Sequence, residues 1–355
     1  VTNIDSVGII TAQSGIHVTG GNVGIGTTIP TEKLHVVGNI RVTGVSTFQE
    51  DLLINGLTVG RGSGNVSTNT AFGLDALSST NSLGQFNTAV GAHALSSCTG
   101  GDRNTGIGRS ALGLLTEGED NTAVGYRALR SLTNGDHNVA IGENAMRDSV
   151  SVNWNIAIGE SAGENLEGNS NCIAIGRHAL DDATGDDNIA IGEGAQSSNE
   201  TGSENTSVGK STLGASGTAF SGTKNTAIGH NASQFATTCI ETVSVGHRAA
   251  YMVKGSNYTT AIGAYSLYNV ETGENNTAVG NDSLYNVETG QNNVAIGKSA
   301  GYYIEGSNNT ILGAYKGVSG DSTLNNTVII SAGTAERLRI TSAGVMVVGH
   351  NAATT

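Results

Sequence analysis

The chain has 355 residues, a formal charge of −13, 52 glycines, one proline (Pro30), and only 13% charged and 4% aromatic residues. So few aromatics exclude a conventional core of Phe, Trp and Leu, and the acidic balance repels a phosphate backbone, which excludes a nucleic-acid binder. No apolar run approaches the ~20 residues that span a bilayer, so no membrane insertion is expected.

Residues 1–60 read as an N-terminal β-rich fibre segment. The opening VTNIDSVGII lacks a basic region followed by a signal-like apolar core. Because Val1 is not Met, the expectation is a piece of something longer. Gly-, Ser- and Asn-rich chains are disordered when they cannot bury enough apolar surface to offset chain entropy. Here a hydrophobic fraction of 37%, with Val, Ile and Ala regularly placed, argues for order.

From Asn69 onward, N-T-A-V-G followed by x-x-A-L recurs. The closing glycine falls at Gly73, Gly91, Gly108, Gly125, Gly142, Gly159, Gly176, Gly192, Gly209, Gly229, Gly246, Gly263, Gly280, Gly297 and Gly313. The spacings are 18, 17, 17, 17, 17, 17, 16, 17, 20, 17, 17, 17, 17 and 16. Positions below are counted from this anchor glycine. Val or Ile precedes it at −1 (Val90, Ile107, Val124) and Ala at −2 (Ala89, Ala123, Ala140). Neighbours in a strand face opposite sides, so the branched residues are expected to fill one interior and the alanines to make a second, flatter buried surface. A second glycine at −7, as at Gly101, Gly118 and Gly135, predicts a tight reversal with positive φ. The x-x-A-L segment, Arg127 to Leu129 for example, predicts a second short strand.

Helical solenoids repeat every ~33 to 47 residues and do not tolerate Gly every few positions. Collagen needs Gly at every third position, which is missing. The fold expected is therefore all-β: a β-solenoid, a parallel β-roll of about 17-residue coils, over residues 61–320, with residues 321–355 as a C-terminal β cap or connector. Fifteen coils ~4.8 Å apart make roughly 70 Å of rod.

At −4 stands Asn, as at Asn69, Asn87, Asn104, Asn121, Asn138, Asn155, Asn188, Asn205, Asn225, Asn276, Asn293 and Asn309. In stacked coils such amides can bond from coil to coil as a ladder, or each can cap its own turn. Cys172 takes this slot once, where a local break is expected.

Asn121–Leu129 (NTAVGYRAL) and Asn155–Ala162 (NIAIGESA) resemble the head repeats of trimeric autotransporter adhesins. That resemblance implies a left-handed parallel β-roll and three chains side by side. The flanks, Val23–Gly38 (VGIGTTIPTEKLHVVG), Gly56–Gly62 (GLTVGRG) and Ala335–Gly349 (AERLRITSAGVMVVG), resemble segments around such repeats in long bacteriophage tail fibres. In those fibres the last segment often leads into a self-cleaving chaperone domain of the peptidase S74 type.

No catalytic constellation is read from the chain, and no cofactor is expected. The eight histidines, His17, His35, His93, His137, His178, His230, His247 and His350, lie at scattered phases and read as solvent-facing variants. Cys98, Cys172 and Cys239 lack metal-ligand spacing and read as buried free thiols. Gly106–Ser110 (GIGRS) lacks the Walker spacing and a following helix. Calcium is a minor hypothesis from the turn carboxylates of Gly118-Glu119-Asp120 and Gly185-Asp186-Asp187, because the nonapeptide of calcium β-rolls is missing. Eight of nine tyrosines follow residue 250, and Tyr268, Tyr285 and Tyr302 all fall at +5, so they should stack in a column. Such a column either holds coils together or offers ring faces to a host surface glycan, and the structural role is the first expectation.

The resulting expectation is a structural, non-enzymatic fibre, a homotrimeric phage tail-fibre shaft that supports host-cell attachment and joins other virion fibre or baseplate proteins. The alternative is a bacterial trimeric surface adhesin or extracellular filament subunit. A glycan-cleaving spike enzyme would need clustered carboxylates in a groove.

Overall fold

The computed structural model describes residues 23–25, 34–36, 52–54, 57–79, 83–214, 217, 219–318 and 324–349. Every regular element among them is a β-strand. The chain divides into two compact units, residues 1–49 and 50–355. The first holds one parallel pair, Val23–Ile25 with Leu34–Val36. Much of the Val23–Gly38 segment, together with His17 and His350, lies outside the described residues.

The second unit is a parallel β-solenoid of about fifteen turns with coils of ~17 residues. Each coil contributes one short strand, residues −3 to −1, which pairs in parallel with the same phase of the next coil. Thus Thr105, Gly106 and Ile107 sit beside Thr122, Ala123 and Val124, and these beside Val139, Ala140 and Ile141. The series runs unbroken from Thr70–Leu74 to Val328–Ala332. Residues displaced by one repeat are therefore spatial neighbours, so any side chain kept at one phase becomes a column.

Three features of the coil differ from the sequence reading. First, the two faces of the strand are reversed: Ala at −2 points into the coil and is fully buried, whereas Val or Ile at −1 faces out. A 17-residue coil encloses little space, and where Leu at +4 and +7 fills it only a methyl fits at −2. Branched side chains instead cover the flat outer face, where they pack well on a pleated surface.

Second, the x-x-A-L segment is a turn rather than a strand, because its residues alternate into the left-handed region. Arg127 has φ 58° and Leu129 φ 50°, and Asp120 at −5 has φ 56°. Such non-glycine conformations cost of order 1 kcal/mol each. They are held because they aim backbone amides at adjacent coils: Arg127 N donates to Arg109 O at 3.0 Å, and Leu129 N to Ala145 O at 2.9 Å. Among the described residues, the strand pair longer than an isolated bridge at this side is Asn165–Leu166 with Asp182–Ala183.

Third, the −7 glycine serves close approach and not positive φ. A methyl on Gly118 would overlap the carbonyl oxygen of Gly135 in the next coil. The anchor glycine meets both demands: Gly125 has φ 142°, and its Cβ would overlap the Gly142 carbonyl.

Antiparallel strands cover both ends of the stack. Leu57–Gly60 pairs with the first coil strand, and Leu52–Ile54 pairs with it in turn. At the far end Ala335–Ile340 covers Val328–Ala332 and is followed by Met346–Val348. These hairpins occupy the edges at which one rod could otherwise template onto another. Deleting residues 325–355 removes the last coil and its cover, and the expected result is aggregation measured by light scattering. A truncated chain that stays soluble and dispersed would contradict the capping role.

Candidate functional surface

The asparagines at −4 form one buried column. Asn121 N and Nδ2 both donate to Asn104 Oδ1 at 3.0 Å, and Nδ2 also donates to Gly135 O at 2.6 Å. Asn138 repeats this on Asn121 and Val152, and Asn155 on Asn138 and Asn169. Asn205 likewise bonds Asn188 Oδ1 and Gly222 O. Each amide thus accepts from the coil after it and closes a turn carbonyl. At Cys172 the backbone N still donates to Asn155 Oδ1 at 2.8 Å, but the thiol contacts Gly185 O at 3.5 Å in place of an amide. Thr242 makes the same backbone bond to Asn225 and gives its hydroxyl to Ser256 O at 3.1 Å.

Around this interior the solenoid presents distinct stripes. The broadest is the outer face of the parallel sheet, made by −3 and −1. It carries Thr105 and Ile107, Val139 and Ile141, Ile156 and Ile158, and so on to Val294 and Ile296. Ile107, Ile141 and Ile296 are 39%, 39% and 44% exposed, although they belong to a strictly repeated apolar position. An exposed, contiguous apolar face of this length marks an interaction surface.

Tyr268, Tyr285 and Tyr302 form a column on the outside of the coils, half-buried, with centroids 4.8 Å apart and planes within 10°. The sequence reading missed a fourth member: Tyr251, at +5 of Gly246, stacks on Tyr268 at 4.9 Å. Phe235 closes one end edge-on at 5.0 Å, and Tyr303 does so at the other at 4.7 Å. Burial and the flanking rings push the Tyr285 phenol above its usual range. Every internal ring face is therefore covered by another ring, which leaves edges and hydroxyls to solvent.

Rings with uncovered faces lie elsewhere, at −5. Phe86, Trp154 and Tyr258 are 58%, 59% and 53% exposed. Trp154 rests one face against His137, with centroids 3.9 Å apart. The other occupants of this column are mainly polar, among them Arg103, Asp120, Asn171 and Asp187. The aromatic count alone hid this grouping, since three different residue types share the phase.

Some charged groups pair from coil to coil. Arg103 bonds Asp120 Oδ1 at 2.7 Å and also Glu119, and this pairing holds the Asp120 carboxyl below its usual range. Asp186 Oδ1 accepts from Ser170 N at 2.7 Å. Three of the carboxylates behind the calcium hypothesis, Glu119, Asp120 and Asp186, are thus engaged in turn and ion-pair bonds. One cluster of three metal-type side chains forms among the described residues: Glu164, His178 and Asp181, with ligand-type atoms within 4.8 Å of one another. Its members already satisfy each other and Arg147, with His178 Nδ1 3.1 Å from Asp181 and Arg147 2.5 Å from Glu164. Cys98, Cys172 and Cys239 are buried free thiols; burial pushes Cys239 up to about 12 and suppresses its thiolate.

No family model matches this chain, and no curated protein or solved structure matches it either.

Proposed function

We propose that this chain is a structural fibre segment in which three copies associate through the exposed β-branched face. The reading that fits best is a bacteriophage tail-fibre shaft, located on the virion, that joins other fibre or baseplate proteins and supports host-cell attachment. A bacterial surface adhesin or extracellular filament is the second reading, supported by the same repeats. The observation that carries the assembly is the Val, Ile and Thr stripe, which repeats coil after coil and stays half-exposed in the single chain. Burying such a face stabilises by ~25 cal/mol per Å² of apolar area, so a stripe this long favours association over exposure.

Replacing Ile141 and Ile158 together by Glu places two charges on that face without touching the interior. The expected outcome is a shift of the sedimenting species from trimer to monomer, with β-structure retained by circular dichroism. An unchanged trimer would move the interface elsewhere.

Contact with a host surface glycan belongs, on this reading, to the free ring faces at −5 rather than to the tyrosine column. Changing Tyr268, Tyr285 and Tyr302 to Ala should lower the melting temperature and leave host-cell binding intact, while Trp154→Ala should do the reverse. Loss of binding only in the tyrosine variant would reverse the assignment.

A further inference from the structure

The side chain at +4 of each coil packs on the side chain at −2 of the next, and the pairs are matched. Leu95 at +4 lies over Gly106 at −2, where a Cβ would stand 3.3 Å from Leu95 Cγ. Two coils replace the usual apolar pair by a polar one. Gln196 Nε2 donates to Ser207 Oγ at 3.0 Å, and Ser233 Oγ to Ser244 Oγ at 2.7 Å, all four residues being buried. Another coil inverts the sizes, with Gly301 at +4 and Ile311 at −2; a Cβ on Gly301 would lie 3.0 Å from Ile311 Cδ1. Gly317 and Ile329 repeat that inversion by position. The other coils pair Leu or Met with Ala, except Gly163 with Ala174 and Ala250 with Ala261, which match small with small and carry no register information.

Near-identical coils carry a hazard. A slip by one whole repeat keeps the strand hydrogen bonds and returns most Leu–Ala contacts, so alternative stackings lie close in energy. We propose that the matched +4 and −2 pairs fix the register in which the coils stack, the polar and inverted pairs rejecting a coil displaced by one repeat. Such a slip sets Gln196 over Ala227 and Leu180 over Ser207, which leaves Gln196 Nε2 only its bond to Ile189 O at 2.9 Å and strips the buried Ser207 hydroxyl of both its partners, Gln196 and Ile189 O. It also sets Leu284 over Ile311, where two large side chains compete for one space. The Gln196 layer is well suited to this role, because Asn199 Nδ2 donates to Gln196 Oε1 at 3.0 Å and so extends a satisfied polar network across the core. The apolar core accordingly divides into a cluster that ends at Ala195 and another that begins at Leu213. A buried polar residue that sets register at some cost in stability is the known behaviour of single asparagines in coiled coils. The pairs lie within one chain, so the inference is independent of assembly and ligand.

Two experiments test it. In the first, Leu95→Gly and Gly106→Ile are made singly and together, which transplants the inverted arrangement of Gly301 and Ile311. Each single change should lower the melting temperature sharply, one through a cavity and the other through a clash. The double variant should recover most of the loss, and losses that simply add would overturn the pairing rule. In the second, Gln196→Leu, Asn199→Ala, Ser207→Ala, Ser233→Leu and Ser244→Ala make these coils uniform with the rest. After refolding from denaturant, the native chain should give one population in hydrogen exchange measured by mass spectrometry, and the uniform variant a mixture with bimodal protection across residues 180–260. A uniform variant that refolds to one population with native protection would overturn the register role. Failure of that variant to fold would contradict the pairing rule itself, since its new pairs are those of the other coils.

Discussion

Replacing Ala140 by Glu is expected to unfold the coils around it rather than merely to loosen contacts between chains. Ala140 is fully buried between Ala123 and Ala157, with its methyl inside the coil. A carboxyl there has no partner and no room. Even when it takes up a proton, burying it unpaired costs ~4 kcal/mol or more, and overpacking adds to that. Urea denaturation followed by circular dichroism should show lost β-structure or a much lower midpoint. The neighbouring Ile141 side chain points the other way, so Ile141→Glu should keep the single chain folded and lower the midpoint far less than Ala140→Glu, only by what is lost between chains. Equal effects at the two positions would mean that the faces are misassigned.

Asn121→Leu is expected to have the second largest effect. The substitution removes an acceptor from Asn138 N and Nδ2 and a donor from Gly135 O, all within the buried column. Asn138 Nδ2 keeps Val152 O, so two buried groups, Asn138 N and Gly135 O, are left without a partner; at ~1–3 kcal/mol each the loss is roughly 2–6 kcal/mol. A melting temperature well below that of an exposed control, Ser151→Ala, checks it. A variant as stable as the control would show that each amide serves only its own turn.

How much of this was legible beforehand follows from what a period can encode. Fifteen anchor glycines at nearly constant spacing fix the coil and the phase of every column, so the solenoid and the in-line placement of Asn121, Asn138 and Asn155 could be read directly. The direction of a side chain could not. Ala at −2 and Ile at −1 are both apolar, and only the narrow interior decides which one enters. The turn after the anchor was misread for a related reason: Arg127 and Leu129 are ordinary strand or helix residues, and nothing local favours their left-handed backbone. Bonds to the coils before and after hold them there, and those appear only once the stack is assembled. Tyr251 could have been found by extending the +5 count back to Gly246. The tyrosine column was visible, but the covering of its faces at 4.8 Å follows from the coil spacing in three dimensions.

On the proposed function, the outward β-branched face joins three copies of this chain. Sedimentation equilibrium on the intact chain tests it most directly. A trimer sediments at three times 35.9 kDa, or 107.7 kDa, and this is the expected result. A stable, folded species of 35.9 kDa, with the Ile107, Ile141 and Ile296 face still exposed, would contradict it.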